Sequence, residues 1–144
     1  MPTVKDIMNT DVKIIKPDEN VQKAAEIMKE FRIGSLIVIT GTKLTGIVTE
    51  RDILNGVVAE DKVPSEVKVE DIMTREVIMI SPEMGIEEAV DLMMEKKIKK
   101  LPVVSSDKLI GIVTVTDIIT AEPKMLKQLG TLMLFAKAKK PVAG

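Results

Sequence analysis

Two short segments carry most of the chemistry this chain can offer: Thr49-Glu50-Arg51-Asp52 and Thr114-Val115-Thr116-Asp117. Each places a threonine three residues before an aspartate, directly after an apolar, β-branched run. The spacing supports two readings. Thr-x-x-Asp is a variant of the capping box, in which each side chain satisfies a free backbone N–H at the start of a helix. The same helix start offers unpaired N–H groups and a favourable dipole to an anion. An ionised Asp can also accept hydrogen bonds from two adjacent hydroxyls, such as a ribose 2′ and 3′ pair. The two roles can coexist, because a cap can hold the pair until a ligand arrives.

The rest of the composition narrows the chemistry. The 144 residues include no Cys and no His. Thiol nucleophiles, zinc and iron–sulfur sites, the Ser-His-Asp triad and histidine acid–base catalysis are therefore excluded together. Carboxylates are plentiful, but no motif sets a pair of them apart, so neither an enzyme nor a metal site is expected. Lys plus Arg is 21 against 22 for Asp plus Glu, a formal net charge of −1. That gives no basic field for wrapping nucleic acid. Phe31 and Phe135 are the only aromatic residues, too few for stacking single strands. No apolar run approaches the ~18 residues of a membrane span, and Met1–Asp6 lacks the apolar core of a signal peptide. The expectation is a cytoplasmic protein without membrane insertion or a nucleic-acid role.

The elements that must position the two Thr–Asp pairs come twice. Asp6-Ile7-Met8 recurs as Asp71-Ile72-Met73, and the offset of 65 residues holds without a gap to Ile53 and Ile118. Pro17 meets Pro82, Ala24 meets Ala89, Met28 meets Met93, and Gly46-Ile47-Val48-Thr49 meets Gly111-Ile112-Val113-Thr114. Units of about 60 residues are marginal alone, so two in one chain are expected to share a core. Val12–Ile15 and Val77–Ile80 read as strands stopped by proline. The stripe Val21, Ala24, Ala25, Ile27, Met28 and Phe31 predicts a helix with Asp18 as N-cap, matched by Ile86, Ala89, Val90, Met93 and Met94. Leu36–Ile39 with Leu44–Thr49, and Leu101–Val104 with Leu109–Thr114, predict hairpins; Glu50–Val58 and Val115–Ala121 predict helices. The fold class is α/β (α+β), two β-α-β-β-α repeats over residues 1–62 and 63–122, with a linker at Asp61–Glu66. A helical basic tail, 123–144, carries Met125, Leu126, Leu129, Leu132, Met133 and Phe135, then Lys137, Lys139 and Lys140.

The element order, the duplication, Leu101-Pro102-Val103-Val104 and the paired Gly-Ile-Val-Thr-x-x-Asp segments resemble the cystathionine β-synthase (CBS) domain, whose tandem pair is called a Bateman module. The resemblance covers about Val4 to Ala121. It implies two repeats packed about a pseudo-twofold axis, with clefts that bind AMP, ADP, ATP or, in some members, S-adenosylmethionine. Thr49 and Asp52, with Thr114 and Asp117, then contact phosphate and ribose.

By the same resemblance, adenine lies in an aliphatic slot. Its walls are Ile15, Lys16 and Pro17 beside Ile14, with Ser35, Leu36 and Ile37 opposite. The second copy is Ile80, Ser81 and Pro82 beside Met79, with Lys100, Leu101 and Pro102. For any single apolar member of these walls core packing is the better account, and the resemblance alone places adenine there. Arg51 stands inside the first motif, and Lys99 or Lys100 is expected to reach phosphates held at Thr49/Asp52, which ranks that site the tighter of the two. The alternative for the lysine run is a solvated face. The expected function is a regulatory adenine-nucleotide module without catalysis or catalytic cofactor. It is expected to form a homodimer, packed through helices bearing Ile53, Leu54, Val57 and Val58, and to act on an unidentified partner protein. A scaffold subunit with degenerate pockets, or an S-adenosylmethionine-binding module, is the alternative.

Overall fold

The computed structural model describes residues 2–138 of the chain, and for 133–138 the backbone course alone. The predicted tail residues Met133, Phe135 and Lys137 fall outside the described side chains, and Lys139 and Lys140 outside the described residues. The elements run α1 (Val4–Ile7), β1 (Ile14–Ile15), α2 (Val21–Phe31), β2 (Ser35–Thr40), β3 (Lys43–Thr49), α3 (Glu50–Ile53) and α4 (Val69–Ile72). Then come α5 (Ile86–Lys96), β4 (Lys100–Ser105), β5 (Lys108–Thr114), α6 (Val115–Ala121) and α7 (Leu126–Ala138). The mixed α/β class and the repeated order of elements match expectation.

The packing units are not the two sequence repeats. One comprises residues 12–77 with 106–109, and the other residues 2–11, 78–105 and 110–138. The Asp-Ile-Met segment that opens each repeat therefore packs with elements of the other repeat. In the unit built on residues 12–77, the α4 amides of Val69 and Glu70 donate to the carbonyls of Glu19 and Pro17 at 2.8 and 2.9 Å. In the other unit, Val4 and Lys5 of α1 donate to Met84 and Pro82 at 2.8 and 3.1 Å. In each case a proline carbonyl, Pro17 or Pro82, receives the incoming helix.

Glycine completes the arrangement. A Cβ on Gly46 would lie 2.6 Å from the Met73 sulfur and 2.9 Å from the Thr74 carbonyl oxygen. On Gly111 it would lie 2.6 Å from the Met8 sulfur and 3.1 Å from the Asn9 oxygen. The Gly-Ile-Val-Thr glycine and the Asp-Ile-Met methionine are thus one contact, made once in each unit. Backbone bridges Ile47–Thr74 and Asn9–Ile112 fix it.

In the first unit β1 pairs parallel with β2 and β2 antiparallel with β3. Ile15, Ala24, Met28, Leu36, Val38, Val48, Val69 and Met73 form its core. In the second, α1, α5, α6 and α7 close over β4 and β5, and Leu129 and Leu132 of α7 are buried with Val90 and Met93. The tail helix is part of that core.

Four details depart from the predicted elements. The first strand is only Ile14–Ile15, and its counterpart shrinks to a single bridge, Ile80–Val103. Pro102 stands where β2 has Ile37, whose N–H donates to the Lys13 carbonyl at 3.3 Å. Proline has no N–H to give, so the equivalent pairing is lost. The N-cap of α2 is Asn20 and not Asp18: its side chain accepts from the Lys23 N–H at 2.8 Å, while the chain at Asp18 is still turning. The helix predicted over Glu50–Val58 widens after Ile53 into a π-turn, Leu54–Val58, which brings Gly56 against Ile72. The predicted linker holds a 3₁₀ turn, Pro64–Glu66, and Val67 behind it is buried with Val21 and Val57.

Candidate functional site

Each Thr–Asp pair sits where a hairpin strand runs into a helix. At the end of β3, the Thr49 N–H donates to Asp52 Oδ2 at 3.0 Å, and the Asp52 N–H donates to Thr49 Oγ1 at 3.1 Å. At the end of β5, Thr114 and Asp117 repeat the geometry at 2.9 and 3.2 Å. Both capping boxes are therefore formed. The first amide of each helix is also engaged: Glu50 donates to the Gly34 carbonyl and Val115 to the Lys99 carbonyl, each at 3.0 Å. Each box leaves the amide at the second helical position, Arg51 or Thr116, outside its bonds. Each Asp also keeps acceptor capacity, since a carboxylate offers about four lone-pair sites.

Ser35 lies opposite Thr49 in the β2–β3 register. The first unit thus gathers Ser35, Thr49, Arg51 and Asp52 at one end of the hairpin. The second gathers Lys99, Lys100, Thr114 and Asp117 in the same way. Thr74 was not foreseen. Its hydroxyl donates to Asp52 Oδ1 at 3.3 Å and to Oδ2 at 3.4 Å. The signal lay in the repeat, where Thr74 directly follows Asp-Ile-Met and faces Asn9 across the 65-residue offset.

The residues predicted to wall the base divide between the cores and more exposed positions. Leu36, Ile37, Ile80, Leu101 and Pro102 are buried. Ile15 packs with Leu36 in one core, and Ile80 with Leu101 in the other. Ser81 is occupied locally, since its hydroxyl donates to Glu83 Oε2 at 2.8 Å and accepts from the Glu83 N–H. Ile15 lies opposite Val38, so Lys16 falls about 13 Å along β2 from Ser35. Lys16 and Pro17 line a cavity of about 660 Å³ with Ile14, Ile15, Lys23, Ile27 and Ile39. Ser35, Thr49 and Asp52 do not line it. Among the described residues no group of three acidic side chains gathers as a metal site, and no helix is long and apolar enough to cross a membrane.

Comparison with known proteins accounts for the duplicated hairpin-to-helix ends. The model of the CBS domain matches twice, at residues 4–59 and 69–124. The chain belongs to the CBS-domain family. It is similar to the Methanopyrus kandleri protein MK0525, with 40% identity over 126 residues, 86% of this chain and 64% of that one. The chain therefore spans just under two thirds of that relative. It is 34% identical over 118 residues to the CBS domain-containing protein YhcV of Bacillus subtilis, covering 82% of this chain and 84% of YhcV. Among solved structures it resembles CBSX2 in complex with AMP, with a TM-score of 0.76 and 28% identity over 87% of this chain and 98% of that one.

Proposed function

We propose that this CBS-domain chain is a non-catalytic regulatory module that binds an adenine nucleotide at its Thr49/Asp52 and Thr114/Asp117 ends and transmits that occupancy to a partner protein. One observation carries the reading. Both repeats build the same end, with an aspartate fixed by its cap and still able to accept hydroxyl hydrogen bonds. The structural likeness to a CBS protein in complex with AMP supports adenosine as the ligand. Ser35 on one side and Lys99 and Lys100 on the other stand next to these ends as further contacts. The base walls predicted over Lys16–Pro17 and Ser81–Pro82 have less support, because those residues lie away from the aspartates or are engaged elsewhere.

The same reading takes the module as a homodimer, in keeping with Leu54 and Val58, which are 55% and 64% exposed on the turn after α3. A thermal-shift panel of AMP, ADP, ATP and S-adenosylmethionine tests the function. A ligand at 100 times its Kd stabilises the fold by about 2.7 kcal/mol. No shift with any of the four at millimolar concentration would favour the scaffold alternative.

A further inference from the structure

The two aspartates are not equally available. Beyond its cap, Asp52 takes the Thr74 hydroxyl on both carboxylate oxygens, at 3.3 and 3.4 Å. Among the described residues Asp117 makes only its cap bonds with Thr114. Asn9 occupies the place corresponding to Thr74; its Oδ1 accepts from the Asp11 N–H at 2.8 Å, and among the described residues its side chain makes no bond to Asp117. The Thr74 contact is long for an O–H···O bond, whose usual span is about 2.7–2.8 Å. It is also shared between two acceptors, so it lies across both carboxylate oxygens as a weak bond that a better donor can replace.

Thr74 is pinned in this position by its backbone, which exchanges bonds with Ile47 at 2.8 and 2.9 Å. A second asymmetry lies at the same end. The Glu50 carboxylate covers Gly34, with Oε1 2.6 Å from where a Cβ would stand. The corresponding residue of the other repeat is the buried, uncharged Val115.

We propose that the Thr74 hydroxyl is a built-in stand-in for a ligand hydroxyl on Asp52, which a ribose diol must displace, so that the Thr114/Asp117 end loads first. This rests on the adenine-nucleotide reading above. The Glu50 carboxylate adds repulsion toward a phosphate at the Asp52 end, and together the two groups reverse the order that Arg51 suggests from sequence. Thr74 is a specificity-determining residue in this scheme: it sets how tightly the Asp52 end takes a nucleotide.

Calorimetric titration with AMP tests the proposal on the full chain and on Asp52→Ala, Thr74→Val and Thr74→Ser variants. Valine keeps the shape and the backbone pairing with Ile47 but removes the donor; serine keeps the donor. The expected result is that the weaker of two binding events disappears in Asp52→Ala. That same event should tighten three- to tenfold in Thr74→Val and stay unchanged in Thr74→Ser. The gain should vanish when 2′,3′-dideoxy-AMP replaces AMP, because no diol then competes for Asp52. AMP binding that Thr74→Val leaves unchanged or weakens would overturn the role of Thr74 and leave the nucleotide reading standing. Binding by none of the four proteins would overturn both.

Discussion

Replacing Gly46 by alanine tests the contact on which each packing unit closes. The new methyl carbon would stand 2.6 Å from the Met73 sulfur, 3.1 Å from Met73 Cγ and 2.9 Å from the Thr74 carbonyl oxygen. Ordinary contact needs roughly 1 Å more. Met73 is buried against Val48, Val69 and Leu36, so it has little room to swing away. The Thr74 oxygen accepts from the Ile47 N–H at 2.9 Å, and moving it stretches a bond with a net worth of about 0.5–1.5 kcal/mol. Overpacking of this kind costs about 1–3 kcal/mol, or roughly 3–10 °C in Tm for a chain of this size. Urea and thermal denaturation measure it. Met73→Ala is itself destabilising by about 2–5 kcal/mol, but combined with Gly46→Ala the two losses should fall short of additive by about 0.5–3 kcal/mol. An unchanged midpoint for Gly46→Ala, or strict additivity in the double mutant, would refute the claim that glycine is there to admit the methionine.

Other substitutions follow from the same geometry. Gly130→Ala lies inside α7 with nothing within 4 Å of the added carbon, so the urea midpoint should rise by the equivalent of about 0.5–1 kcal/mol. Asn20→Ala removes the side chain that caps α2 at the Lys23 N–H and should cost about 1 kcal/mol, read as a lower Tm. Leu54→Glu with Val58→Glu should leave the fold intact by circular dichroism while light scattering falls from the mass of two chains to that of one, since both side chains are exposed.

Much of the fold could be read from the 65-residue offset and its hydrophobic periodicity, because each element recurs with the same spacing in a new sequence context. The Thr–Asp pairs were also legible, since a capping box is a local device that needs only four consecutive residues. What sequence left hidden was non-local. Asp-Ile-Met and Gly-Ile-Val-Thr each occur twice at one offset, so the spacing cannot say which copy meets which. A glycine inside a strand does signal close approach by another backbone, but not by whose. Thr74 escaped for the same reason: its hydroxyl meets Asp52, 22 positions away, only because α4 docks beside β3. Ile15 and Leu36 enter the adenine walls only through the resemblance, and the fold buries both in one core; an apolar residue on a strand carries no mark of what it faces.

The exchange of opening segments also sets an order of events during synthesis. Apart from residues 106–109, one packing unit is complete once residue 77 has left the ribosome. The Val4 amide bonds to the Met84 carbonyl, made well after it, and the groove for Met8 forms only when Gly111 arrives. At about 5–20 residues per second, α1 waits several seconds for its place while its neighbour is already able to fold. During that interval Val4, Ile7 and Met8 are apolar side chains without a core. The nascent chain is therefore more exposed to misassociation at α1 than in the stretch, residues 12–77, that follows it.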